Sequence, residues 1–256
     1  MGTADGGHRD AAITAVADRE YSRAGDEYTR AGWRVLADPR EEEAVDTFDP
    51  GERGWVGVGL GYLVTATAAY RVAGADARAS RRGVAGVAVA GDLAAQAGPV
   101  QAACFREFVA DFRAVAGLDG AADAYSTASA AYEDAADVIE DPQSRGTTPL
   151  FQAAAKPIKQ LARGQDNGEI AITWSDLHGT DPDRPGEFLA HRAEYKRRRM
   201  PGLVERTVDD GYLAAPRGST AYDTDAYRCP ACGSTDVNWS GPDTLCLRCS
   251  RRVEEV

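Results

Sequence analysis

The residues best equipped for chemistry are four cysteines near the end of the sequence: Cys229, Cys232, Cys246 and Cys249. They form two Cys-x2-Cys pairs separated by thirteen residues, Gly233 to Leu245. A Cys-x2-Cys turn points two thiolates into one site while backbone amides face the sulfurs. Two such turns supply the four soft ligands that tetrahedral zinc prefers. Four thiolates also close the coordination shell, so the expected ion is structural, with no open position for water or substrate. A segment of this size buries too little apolar surface to fold unaided. Zinc binding contributes on the order of 10–16 kcal/mol near neutral pH, which makes folding and metal uptake one event. One structural Zn2+ per chain is therefore expected.

Between the pairs, Asp236 to Ser240 reads as a strand, Gly241-Pro242-Asp243 as a turn and Thr244 to Leu247 as the returning strand. With Cys229-Pro-Ala-Cys232-Gly233 and Cys246-Leu-Arg-Cys249-Ser250, these residues resemble the zinc-ribbon family. Iron in a rubredoxin-like centre is the competing reading, although that family's aromatic cluster and longer spacing are missing.

The remaining candidates are weaker. Arg192, Lys196, Arg197, Arg198 and Arg199 lie within eight residues that hold a single anion, Glu194. Such a run could track nucleic-acid phosphates or dock on an acidic partner. Equally, it could be a solvated helix face, or pair internally with the acidic helical region. Asp176, His178, Asp181 and Asp183 could hold a divalent ion, or serve only as loop residues that bond local amides. Cys104, within Ala102-Ala-Cys-Phe105, fits a buried apolar helix face. His8 and His191 read as surface residues and Glu41 to Glu43 as an exposed acidic turn. No nucleophile elbow, phosphate-binding loop, dinucleotide fingerprint or His-Glu-x-x-His helix is present, so no catalytic residue is assigned and no enzyme is expected.

The chain that must position these groups has 256 residues and a formal charge of -11. Only three of its 29 cations are lysine: Lys156, Lys159 and Lys196. Acidic surplus, scarce lysine and abundant small residues suggest a proteome adapted to high salt, as in a haloarchaeon, where negative surface keeps proteins soluble. Paired cysteines without an apolar leader point to metal in a reducing compartment, with the cytoplasm as the expected location. Gly54 to Tyr70 carries no charge but includes four glycines, which suits a buried helix in a bundle better than a membrane span.

Residues 8–165 read as helix after helix, near 8–37, 54–74, 78–97, 100–116, 119–140 and 149–163, with stops at proline or glycine. Ala17, Tyr21, Ala24, Tyr28 and Ala31 recur as Ala121, Tyr125, Ala128, Tyr132 and Ala135, offset by 104 positions. Ala66, Tyr70 and Ala73 form a shorter copy. Spacings of 3 and 4 place each set on one helical stripe, with small residues admitting a neighbouring helix and the tyrosine hydroxyls kept at the wet edge. Ala24-Gly-Asp-Glu-Tyr28 and Ala131-Tyr-Glu-Asp-Ala-Ala136 resemble the second helix of tetratricopeptide or SNAP-like repeats. A plain antiparallel bundle explains the same stripe.

The expected fold is thus mainly α, a helical repeat or bundle over 8–165, followed by a zinc ribbon over 226–256. Between them, 166–225 is expected to hold a short strand at Glu169 to Trp174, a loop, a basic helix from Glu187 to Met200 broken by Pro201, a short helix from Leu203 and a linker from Ala214. The expected function is a non-enzymatic adaptor whose helical domain binds a protein partner, with the zinc ribbon as a second contact module and without a membrane; an enzyme is a distant alternative. The alternative is a nucleic-acid-associated regulator using the ribbon and the basic run.

Overall fold

A computed structural model describes residues 6–37, 54–165 and 171–256. The Glu41 to Glu43 turn and the first two residues of the strand expected at 169–174 lie outside the described residues.

The first expected helix is two. Helix α1 (Gly6–Ala17) and helix α2 (Tyr21–Ala37) are separated by a reversal at Arg19, whose φ is 66°. Arg19 N–H donates to Val16 O at 3.1 Å and Glu20 N–H reaches back to Ala15 O at 2.8 Å, the paired bonds of a Schellman stop. A non-glycine residue there costs on the order of 1–2 kcal/mol. Tertiary contacts offset that cost. The Arg19 guanidinium donates to Cys249 O at 2.7 Å and to Tyr21 Oη at 2.6 Å, and lies 4.1 Å from the centre of the Tyr212 ring.

Helices α3 (Gly54–Val72), α4 (Asp76–Gln96), α5 (Pro99–Ala116) and α6 (Ala121–Asp134) follow. Gly74 and Gly117, at φ 68° and 67°, end α3 and α5 with the same paired stop. After a short helix α7 (Pro142–Thr147) comes α8 (Pro149–Gln165), which passes through Pro157. No helix among the described residues is long and apolar enough to cross a membrane.

Helix α3 packs against α2, α4, α5 and α8, so the apolar stretch from Gly54 is the centre of the helical region. Glycines permit the closest crossings. A Cβ on Gly86 of α4 would fall 2.3 Å from the Phe112 ring of α5, and one on Gly25 of α2 would fall 2.5 Å from the Tyr70 ring of α3. In a solenoid each unit touches only its chain neighbours. Here α8 returns to α3, and helix α10 (Pro185–Asp209) packs on α5, α6 and α8, so the helices close into a bundle.

Three expectations for residues 166–225 are corrected. Residues 171–177 contain no strand: Thr173 caps a single helical turn, α9 (Trp174–Leu177), through reciprocal bonds with Asp176. Helix α10 does not break at Pro201. Pro201 is exposed, as is Arg197, whose carbonyl loses its helical partner there; on the solvent side that loss is tolerated, and the helix runs on to Asp209.

Nor is 214–225 a free linker. Strand β1 (Ser219–Ala221) pairs antiparallel with β3 (Val237–Ser240), which pairs with β4 (Asp243–Cys246). A smaller sheet joins β2 (Tyr227–Arg228) to β5 (Glu254–Glu255). Ser240 pairs with Asp243, leaving a two-residue hairpin turn with Gly241 at φ 61°.

Candidate metal centre

The two cysteine turns are built alike. Gly233 N–H donates to Cys229 O at 2.8 Å, and Ser250 N–H donates to Cys246 O at 2.9 Å. The residue after each second cysteine takes the left-handed conformation, Gly233 at φ 74° and Ser250 at φ 56°. Glycine adopts it freely. Ser250 is held there through its hydroxyl, which accepts Ala215 N–H at 3.0 Å and bonds Tyr212 Oη at 3.1 Å.

These turns bring the four sulfurs within 4.8 Å of one another, with Cys229–Cys249 and Cys232–Cys246 each at 3.6 Å. Four sulfurs at about 2.3 Å from a tetrahedral ion lie about 3.8 Å apart, so the cluster fits one metal ion. A hydrogen bond from the Cys249 thiol, with amides of the same turn, lowers Cys246 to about 5. That shared bond and burial push Cys249 up instead. A metal ion would displace the protons that the crowded thiols otherwise share.

The ribbon is seated on the bundle. Thr14 Oγ1 donates to Asp243 Oδ2 at 2.5 Å, Arg252 pairs with Asp18 and with Asp243, and Leu245 is fully buried within the helical core. Gln160 Nε2 donates to Ala214 O at 2.7 Å, tying the entry of the ribbon to α8.

The basic run is corrected in part. Arg192 and Lys196 are 1% and 0% exposed, so neither can contact nucleic acid or an outside partner. Their spacing of four puts them on the inner face of α10, opposite Glu107 and Asp111 on α5. Arg192 Nε donates to Glu107 Oε1 at 2.8 Å. Lys196 Nζ lies 2.7 Å from each of Glu107 Oε1, Asp111 Oδ2 and Ala154 O, which uses all three ammonium protons. Burial alone would raise Glu107, but the adjacent Arg192 and Lys196 outweigh it and hold the carboxyl at about 2. Arg197, Arg198 and Arg199 are the exposed remainder of the run, Arg197 pairing with Glu194.

The second tyrosine stripe serves this quartet. Tyr125 Oη donates to Asp111 Oδ1 at 2.6 Å, and Tyr132 Oη donates to Glu107 Oε2 at 3.0 Å. Both rings are fully buried, so the expected wet edge is wrong for them: their hydroxyls are needed inside as donors to carboxylates. Sequence reading missed Glu107 and Asp111. The available signal was two acids four apart, each followed by a large apolar residue, in a helix that also carries Arg106 and Arg113.

Cys104 is buried beside Arg192, and burial pushes its thiol up to about 12. The Asp176, His178, Asp181 and Asp183 set does not converge. Asp176 caps α9, Asp181 accepts Asp183 N–H, and His178 stacks on Trp174 at 3.6 Å. Among the described residues, the four cysteines are the one group of three or more such side chains able to hold an ion.

His178 is 4% exposed, and its Nδ1 bonds Trp174 O at 3.0 Å while Nε2 has no partner among the described residues. Burial lowers its pKa to about 4. The unfolded chain takes up this proton near pH 6.5 and the folded chain only near 4, so stability falls as pH drops through that window, by at most about 1.4 kcal/mol per pH unit. Urea melts from pH 7 to 4.5 should show this slope in the wild type and a shallower one in His178→Phe.

No family model, curated protein or solved structure matches this chain.

Proposed function

We propose that the protein is a non-enzymatic adaptor in a reducing compartment, its ribbon stapled by one Zn2+ ion and offered as a rigid contact for a protein partner. A closed set of four thiolates supports zinc in a structural role. The observation that carries the adaptor reading is the solvent side of the ribbon. Val237, Asn238 and Ser240 of β3 are buried, while Trp239 between them is 38% exposed and Tyr222 nearby is 46% exposed. The Tyr227 ring meets the Trp239 ring edge-on at 6.3 Å. Large aromatics fixed on a rigid strand are the side chains that dominate binding energy at protein interfaces. The buried ionic groups Glu107, Asp111, Arg192 and Lys196 pair with one another away from solvent, which supports a structural rather than a catalytic use of them.

The test is affinity capture from native extract with wild type and with Trp239→Ala. The variant should keep its metal and stay within about 0.5 kcal/mol of wild-type stability yet lose the captured partner. Identical recovery by both proteins, or by neither, would reject the ribbon as the contact.

A further inference from the structure

A cavity of about 410 Å³ opens between α1, α2, the start of α3, α8 and the strand entry at 216–217. Its walls carry five cations, Arg9, Lys156, Lys159, Arg163 and Arg217, and no carboxylate among the described residues. In a chain of charge -11 that is a local inversion of sign. Two of the three lysines in the sequence sit here.

Three of these cations lie along one helix. Lys156, Lys159 and Arg163 on α8 follow the spacing of one face and span about 10 Å of helix axis. Arg9 is held by Asp10 at 3.0 Å. Among the described residues, Lys156, Lys159 and Arg163 have no ion pair. The lysines reach solvent, but Arg163 is only 6% exposed. A guanidinium on so buried a residue carries a desolvation cost that no anion among the described residues repays, and burial accordingly lowers its pKa to about 10. Tyr28 lines the same wall, and its hydroxyl is buried without a hydrogen-bond partner among the described residues. Buried polar groups of both kinds are normally satisfied. The unmet demand here is for an acceptor bearing negative charge.

The rest of the wall is mostly apolar, with Thr65 and Gln160 as its polar members. Val58, Ala153, Ile172 and Pro216 line it, and at Gly61 an added Cβ would meet only Ala153 O at 4.0 Å, so the α3 backbone is open there. Volume, apolar wall and convergent polar groups fit a small-molecule site.

We propose that this cavity binds a small organic phosphate, with its phosphates along Lys156, Lys159 and Arg163, an oxygen accepting the Tyr28 hydroxyl, and its uncharged body against Val58 and Ile172. A single carboxylate would satisfy one cation. A row of cations 10 Å long matches a chain of phosphates, which arginine forks and lysine point charges both recognise. The site is separate from the ribbon and does not depend on the adaptor reading.

Calorimetry and thermal melts on the full chain, in phosphate-free buffer of constant chloride concentration, test this with pyrophosphate, ADP and citrate. Pyrophosphate and ADP should bind and raise the melting temperature, with ADP the tighter because the body adds contacts. Lys156→Gln, at an exposed position, should weaken ADP at least fivefold, and Arg163→Met and Tyr28→Phe at least tenfold. Arg163→Met distinguishes a ligand site from a structural charge. Without ligand it should melt at or above the wild-type temperature, because it removes an unpaired buried cation; a structural arginine would lower it. Absence of binding by pyrophosphate and ADP at millimolar concentration, equal affinity in Arg163→Met, or binding of citrate alone would overturn the proposal.

Discussion

Stripping the metal should unfold residues 219–256 and loosen helix α1 as well. Cys232 is exposed, which gives a chelator access to the cluster. Zinc supplies on the order of 10–16 kcal/mol to modules of this kind, more than the net stability of a typical domain. The ribbon does not fail alone, because Arg19 and Arg252 bridge α1 to it and Leu245 fills part of the helical core. Metal analysis of the purified chain should find one zinc per molecule. After chelation, or in Cys246→Ser, amides of 219–256 and of α1 should exchange rapidly and Trp239 fluorescence should shift to the red. A metal-free chain that keeps its ribbon amides protected would refute the account, and iron in place of zinc would reverse the choice of ion.

Glu107→Gln should be the most damaging single change in the bundle. It leaves Arg192 and Lys196 buried with only Asp111 between them, and removing one partner of a buried ion pair costs about 3–5 kcal/mol. For a chain of this size that is a fall in melting temperature of roughly 10 °C. Removing both members of a pair costs less than its halves suggest, since no charge is then stranded. Asp111→Asn/Lys196→Met should therefore lose at least about 1 kcal/mol less than the sum of its single variants in urea melts. Additive losses would mean that Lys196 does not depend on Asp111.

The metal ligands were legible because two Cys-x2-Cys turns are local: spacing within four residues places each pair of sulfurs, and a hairpin joins the pairs. Most helix boundaries were legible for the same reason, Gly74, Gly117 and the proline-led starts acting within one turn. The break at Arg19 was not, since an arginine in the left-handed region is tolerated only through Cys249 O and Tyr212, more than 190 residues away in sequence. Arg192 and Lys196 looked like members of a surface run because their charge is visible in sequence while the acids that neutralise them lie 85 residues earlier.

The sequence by itself therefore determined the four-thiolate cluster, the helical character of the chain and the Ala/Tyr stripes, all set by periods of two to seven residues. Only the tertiary structure decided which charges are interior, that the helices close into a bundle with the ribbon seated on it, and that Lys156, Lys159 and Arg163 share a cavity with Tyr28. The division is physical. Side-chain spacing and backbone conformation act over a few residues, whereas burial of a charge depends on what a distant helix brings to meet it.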